Sequence, residues 1–203
     1  MIVQPWTVPT EWRGETAVLL GGGPSLGAID PALLRGRARI VAINDAGLVL
    51  APWADVLLYA DDRWLAWNRA DLGRFRGGRL VKRCRPLVSF AAPDVHVIER
   101  APHRVDLSDD PRWVAGFCSG GAAINLAYLF GARRIVLLGF DMRPGHWHDR
   151  HRTASDPANY DRRYAAAIAR MAPRLAAAGV DVVNATPGSA LRCFPILRPE
   201  DAL

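Results

Sequence analysis

The sequence has almost no lysine and little cysteine. Lys82 is the single lysine among 26 basic residues, and the rest are arginine. The three cysteines, Cys84, Cys118 and Cys193, are odd in number and far apart, which excludes a disulfide framework and a cysteine-based metal motif. Each reads as a small buried apolar residue. No apolar run reaches the roughly 18 residues of a membrane span. The opening segment MIVQPWTVPTEWRG lacks the basic start and apolar centre of a signal peptide. These absences lead us to expect a protein of the reducing cytoplasm with no membrane span.

What is present is enough for one full core. The chain has 203 residues, 50% hydrophobic and 23% charged, the range of a globular domain. Its net charge of +6 suits an anionic partner, either nucleic acid or an anionic small molecule. The densest basic cluster, GRFRGGRLVKRCRP at residues 73–86, is the candidate for phosphate contacts, or else a solvated face.

Apolar β-branched runs alternate with helical patterns. TAVLLGG, ARIVAIN, ADVLLYADD and RRIVLLGFDM read as strands, with GRLVKRC and VHVIER as shorter ones and VDVVNAT as the last. GAIDPALLRG, RWLAWNRADL, SGGAAINLAYLFGA and YDRRYAAAIARMAPRLAAAG read as helices, with a break or kink predicted at Pro173. PGSALRCFPI closes the domain. This alternation predicts an α/β fold: one Rossmann-like domain over residues 1–203, its core at about 16–195, with a mainly parallel sheet and helices on both faces.

In such sheets ligands bind beyond the carboxyl ends of the strands, at a switch point. The predicted strand ends are unusually polar. The first ends in Gly21, Gly22, Gly23, Pro24 and Ser25, the second in Asn44 and Asp45, and the third in Asp61 and Asp62. The central one ends in Gly139 and Asp141, and the last in Asn184, Thr186 and Ser189. Glycines let backbone amides approach an anion, and a following helix start favours negative charge. The turn LGGGPSL is therefore read as a phosphate site, with a plain tight turn as the alternative. Ser119 and Gly120 form a second glycine-rich helix start facing the same rim. The spacing matches neither the dinucleotide nor the Walker motif, and no lysine stands here to hold a terminal phosphate.

Asp61 and Asp62 in YADDRW can bind Mg²⁺ alongside substrate phosphates, or one of them can cap the helix that follows. His146, His148 and His151 fall within FDMRPGHWHDRHRTASDPANY. The H-x-H spacing suits a metal only if further ligands join it. The length of the segment predicts a lid over about 143–159. A lid histidine, His148 first and His146 second, is the candidate general base.

GGGPSL, AIND and SGGAAINLAYLFGARRIVLLGFD resemble, in order and approximate spacing, the bacterial sialyltransferase-like family. That family carries a G-N-G-P-S-L turn, an asparagine after the second strand, and S-G at a helix start before a G-[IF]-D strand end. The same plan resembles archaeal 6-hydroxymethylpterin diphosphokinases. PWADVLLYADDRW, HWH and TPGSAL resemble tailed-phage and prophage proteins. The resemblance implies a nucleotide-activated donor bound by Gly21 to Ser25, Asn44, Ser119 and Gly120, with His146 or His148 deprotonating an acceptor hydroxyl. Gly22 departs from the sialyltransferase asparagine, which weakens the implication of a cytidine donor. Tyr160 and Tyr164 are candidates for the family's site tyrosines.

Three functions follow as expectations. The first is a nucleotide-dependent group transferase of glycosyltransferase type, with nucleic acid as one conceivable acceptor. The second is an ATP-dependent pyrophosphokinase with Mg²⁺ on Asp61 or Asp62. The third is a phage protein that binds nucleic acid or nucleotide without turnover.

Overall fold

In the computed structural model the predicted alternation becomes a single sheet of eight strands among the described residues, which are 6–84, 95–153 and 156–203. The strands are β1 (Thr16–Leu20), β2 (Arg39–Ile43), β3 (Val56–Tyr59), β4 (Arg79–Cys84), β5 (Val95–Arg100), β6 (Trp113–Val114), β7 (Arg134–Leu138) and β8 (Asp181–Asn184). Their order is β6-β5-β4-β3-β2-β1-β7-β8, and every pairing is parallel. The chain runs outward from β1 through β6, then returns to place β7 on the other flank of β1. The β1/β7 boundary is therefore the topological switch point of a Rossmann-like α/β sheet.

Side-chain alternation along the strands builds two cores. Ala17, Leu19, Val41, Ile43, Ile135 and Leu137 face one side, where they meet α2 (Ser119–Phe130) and α4 (Ala166–Ala177). Val18, Leu20, Ile40, Ala42, Val136 and Leu138 face the other. The central strands are thus apolar on both faces, as burial of a parallel sheet requires. A third cluster joins Leu57 and Tyr59 of β3 to Trp64 and Leu65 of α1 (Asp62–Asn68). Among the described residues no helix is long and apolar enough to cross a membrane.

The second face is covered by shorter pieces than the sequence pattern suggested. The expected helix GAIDPALLRG is instead two 3₁₀ turns, Pro24–Ala28 and Pro31–Leu34. Each opens on a proline, and glycines at 27 and 36 interrupt the run, so neither turn propagates. A π-helical turn, Ala46–Leu50, and the terminal α5 (Pro199–Ala202) complete this layer. On the first face α3 (Pro157–Asn159), a π-helical turn Tyr160–Ala165 and α4 follow one another directly. The break predicted at Pro173 is absent: α4 runs through it with the proline ring exposed to solvent, and the irregularity lies one turn earlier, in the π segment.

One buried side chain orders the approach to α2. Asn125, fully buried, accepts from the Ser108 amide at 3.1 Å and the Ala115 amide at 2.7 Å, and donates to the Ser108 carbonyl at 2.9 Å. It fastens the strand-poor stretch before Cys118 to the helix that follows. Asn125→Leu keeps the volume but leaves these buried backbone groups without partners. It is expected to lower unfolding free energy by about 2–4 kcal/mol, read as a lower urea midpoint with an unchanged slope. An unshifted midpoint would show that the 108–115 stretch is held by other contacts.

Candidate active site

At the switch point the ends of β1 and β7 approach closely. The Gly21 amide donates to the Leu138 carbonyl at 2.8 Å and the Gly23 amide to the Gly139 carbonyl at 2.9 Å. A Cβ on Gly21 would lie 2.5 Å from the Gly139 oxygen, and one on Gly23 would lie 1.9 Å from Asp141 Oδ2. Both glycines are thus required by packing. Gly22 differs: its Cβ would meet only His146 Nδ1, at 3.5 Å, so it faces the cleft. Its amide has no carbonyl partner among the described residues.

Asp141 locks the turn from the β7 side. Its carboxylate accepts from the Ser25 amide at 3.2 Å and from the Ser25 hydroxyl at 2.8 Å. Asp141 and Ser25, both predicted to bind a ligand, are therefore first of all bonded to each other. The polar end of β8 also has internal work. Thr186 Oγ1 accepts from the Phe140 amide at 3.0 Å, and the Ser189 hydroxyl donates to the Phe140 carbonyl at 2.6 Å. Asn184 Nδ2 donates to the Leu191 carbonyl at 3.2 Å. All three are fully buried. They brace the bend that carries Gly139 to Asp141 and do not line the cleft.

The opposite wall is the start of α2. Cys118 caps it, with Sγ accepting from the Gly121 amide at 3.5 Å; burial pushes the thiol pKa up. Ser119 and Gly120 line the cleft beside it, and a Cβ on Gly120 would lie 2.9 Å from Phe140. Asn44, at the end of β2, holds a left-handed backbone with φ 54°, and its side-chain oxygen is buried without a partner. Among the described residues Met142 is the other non-glycine residue with positive φ, at 51°. Both line the cleft, and local strain of this kind tends to collect at functional sites.

Asp61 and Asp62 do not form a pair of open ligands. Asp61 caps α1, accepting from the Arg63 amide at 2.8 Å and meeting the Arg63 guanidinium at 3.2 Å. Asp62 pairs with the buried ammonium of Lys82 at 2.5 Å. Each carboxylate is already matched with a cation, and the two do not fit an Mg²⁺ site. Among the described residues no cluster of three or more His, Cys, Asp or Glu side chains is arranged to hold a metal ion.

The histidine segment lies across the strand ends. His146 Nδ1 stands 3.2 Å from the Gly22 carbonyl. A carbonyl only accepts, so Nδ1 carries the proton and Nε2 is the basic nitrogen of the neutral ring. His146 stacks on His151 with ring centroids 4.0 Å apart. His148 is differently held: its Nδ1 accepts from the Arg150 amide at 3.1 Å, and its Nε2 lies 3.9 Å from Asp45. Burial, then neighbouring histidines, hold the His146 pKa below the ordinary imidazole value; burial also lowers that of His148, against the pull of Asp45. Trp147 packs inward against the second core. Residues 154 and 155 of the expected lid lie outside the described residues.

Together these groups line a cleft of about 770 Å³, within the usual range for a small-molecule site. Sequence reasoning did not single out Asp45, Arg83, Trp67 or Arg150 as site residues. Arg83 lines the cleft and donates to the Gly116 carbonyl at 2.5 Å. Two of them had a signal: Asp45 stands beside Asn44 at a strand end, and Arg83 lies in the basic cluster 73–86. The basic cluster 73–86 is partly consumed internally: Arg74 pairs with Asp71, Arg79 with Glu11, and Arg83 is buried. Its residues 85 and 86 lie outside the described residues.

No family model matches the chain, and no curated protein matches its sequence. Among solved structures the chain is similar to the sialyltransferase CstII from Campylobacter jejuni in complex with cytidine-5′-monophosphate. That match has a TM-score of 0.57 and 14% identity, and covers 94% of this chain and 88% of the other. A second CstII structure, in complex with CMP-3FNeuAc, matches with a TM-score of 0.53 and 14% identity over 92% and 87% of the two chains. At this identity the likeness establishes the fold.

The buried histidines give the protein a pH-dependent stability of definite sign. Imidazoles whose folded pKa is lowered bind protons less readily than in the unfolded chain. Their contribution is complete above about 6.5 and is lost as pH falls through the lowered folded values. His96, lowered by burial and by Arg79, acts in the same window. Urea unfolding between pH 7.5 and 5 (roughly spanning that transition) should therefore show stability falling toward acid. The fall should be shallower in His146→Gln and in His148→Gln. Equal slopes in parent and variants would remove these two residues from the account.

Proposed function

We propose that the protein is a glycosyltransferase-like enzyme that takes a glycosyl group from a nucleotide-activated donor and passes it to a hydroxyl acceptor. The observation that carries this reading is His146 Nδ1 standing 3.2 Å from the Gly22 carbonyl, in a cleft that both residues line. A base and an anion-tolerant turn thus meet at the switch point of the sheet. The solved CstII complexes, which hold CMP and CMP-3FNeuAc, support a nucleotide-linked donor on this fold.

In this reading the donor phosphate lies against the Gly22 amide and the Ser119–Gly120 end of α2. Asn44 offers its unpartnered oxygen to a hydroxyl or amine of the donor. The acceptor O–H gives its proton to His146 Nε2 as the oxygen bonds to the anomeric carbon. The bond from that carbon to the phosphate oxygen breaks, and the nucleotide leaves. Exposed Arg143 on the cleft is the cation nearest in sequence to this chemistry, and offsets the charge of the leaving group. We take His146 as the base, because its Nδ1 stands on the Gly22 carbonyl, at the glycine turn itself. A pyrophosphokinase is less well supported, since Asp61 and Asp62 are each paired with a cation.

Thermal shift with CMP-, UDP-, GDP- and ADP-linked sugars should identify the donor as the compound that raises the melting temperature, because a ligand of the folded state stabilises by mass action. Gly22→Val should abolish that shift while leaving the protein folded, because Gly22 alone of the three glycines has room for a side chain. With the donor found, His146→Ala should lower single-turnover rate by roughly a hundredfold to ten-thousandfold with donor affinity retained. No shift with any nucleotide sugar, or full turnover by His146→Ala, would overturn the reading.

A further inference from the structure

The segment that carries His146 is fixed at both ends. On the β7 side Asp141 is bound to Ser25. On the far side the anchor is Asp45, a carboxylate 8% exposed at the end of β2. Asp45 accepts from the Trp64 indole N–H of α1 at 2.7 Å. Its other oxygen, Oδ1, lies 3.2 Å from Arg150 Nε in an ion pair without hydrogen-bond geometry, and His148 Nε2 stands 3.9 Å from the Trp64-bonded Oδ2. Arg150 in turn donates through Nη2 to Asn68 at 3.1 Å and to Asp71 at 2.7 Å. One buried carboxylate therefore joins three parts of the fold: the end of β2, helix α1, and the histidine segment.

We infer that Asp45 and Arg150 form a latch that positions His146 on the Gly22 carbonyl, with Asp45 as the positioning residue. The charge on Asp45 is what holds it. Arg150 brings a fixed cation, and the Arg150 amide occupies His148 Nδ1. The neutral His148 ring must then carry its proton on Nε2, the nitrogen that faces Asp45. An amide at position 45 could still accept from Trp64. It would, however, turn its NH2 toward Arg150, so donor would face donor and the charge that attracts Arg150 would be gone. Asp71 cannot substitute as the anchor, because it is four times as exposed, at 32%, and water competes for it. The span from Met142 to Trp147 hangs between the two anchors, and His146 lies within it.

The latch is legible without a substrate; only the role of His146 as base rests on the transferase reading. The test uses the full-length protein with Asp45→Asn, Arg150→Gln and the double variant. Hydrogen exchange of residues 143–153 should quicken by roughly tenfold or more in each single variant, with the central strands unchanged. The double variant should be no faster than the faster single, because both remove the same latch. Long-range ¹⁵N–¹H correlation should show one His148 tautomer, protonated at Nε2, in the parent and a mixture in the variants. Arg150→Lys, which keeps the charge but cannot span Asp45 and Asp71 together, should fall between. If Asp45→Asn does not fold, Arg150→Gln decides alone, since Arg150 is partly exposed. Unchanged exchange and an unchanged tautomer in folded Arg150→Gln would overturn the latch. Where turnover is measurable, the variants should lose kcat with donor KM retained. Loss of the latch signals with no turnover in the parent would reject the transferase reading and leave the latch standing.

Discussion

The closeness of β1 and β7 at their carboxyl ends governs everything around the cleft. Two parallel strands from distant parts of the chain meet with backbone atoms so near that Gly21 and Gly23 can carry no side chain. Asp141 then closes the junction by taking both the amide and the hydroxyl of Ser25. Thr186 and Ser189 hold the bend from behind. With the turn fixed in this way, Gly22 is left as the one position where backbone meets open space. The placement of His146 depends on it too, because its Nδ1 proton is given to the carbonyl of that residue.

The electrostatics of the cleft follow from how its acids are partnered. Asp45, Asp61, Asp62 and Asp141 all line it, yet each is matched by Arg150, Arg63, Lys82 or Ser25. Burial lowers the pKa of His146 and of His148, and Arg83 and Arg143 also line the cleft. The same partnering leaves its carboxylates poorly suited to a divalent cation.

The strand pattern was readable because the core strands are apolar on both faces and stop at glycine or a polar residue. The site's location followed from the same stops. Asp61 as a helix cap and Ser119 at a helix start were legible for that reason. What escaped was anything decided across the sheet. Gly21, Gly22 and Gly23 look alike in sequence, and only the nearness of Gly139 and Asp141 separates their roles. Asn184, Thr186 and Ser189 share the polarity of a site but face Phe140 and Leu191. Arg150 has no local signal at all, since its partners Asp45, Asn68 and Asp71 lie far away in the chain. The helix expected over residues 27–36 failed on chemistry visible in the sequence, Pro31 in its middle and a glycine at each end.

The β1/β7 pairing joins Thr16 to Arg134 and Leu20 to Leu138. Contacts between residues so far apart form late, because closing a long loop costs entropy before the contact can repay it. A nascent chain can pair β1 with β2 early, but it has no Gly139 carbonyl, no Asp141 and no histidine segment until β7 has been made and docked. The turn at Gly22 is thus present in the sequence from the start and acquires its shape near the end of folding. The cleft is thus shared between an early and a late part of the chain: until β7 is docked, the turn at Gly21 to Gly23 lacks the Gly139 and Asp141 contacts that shape it.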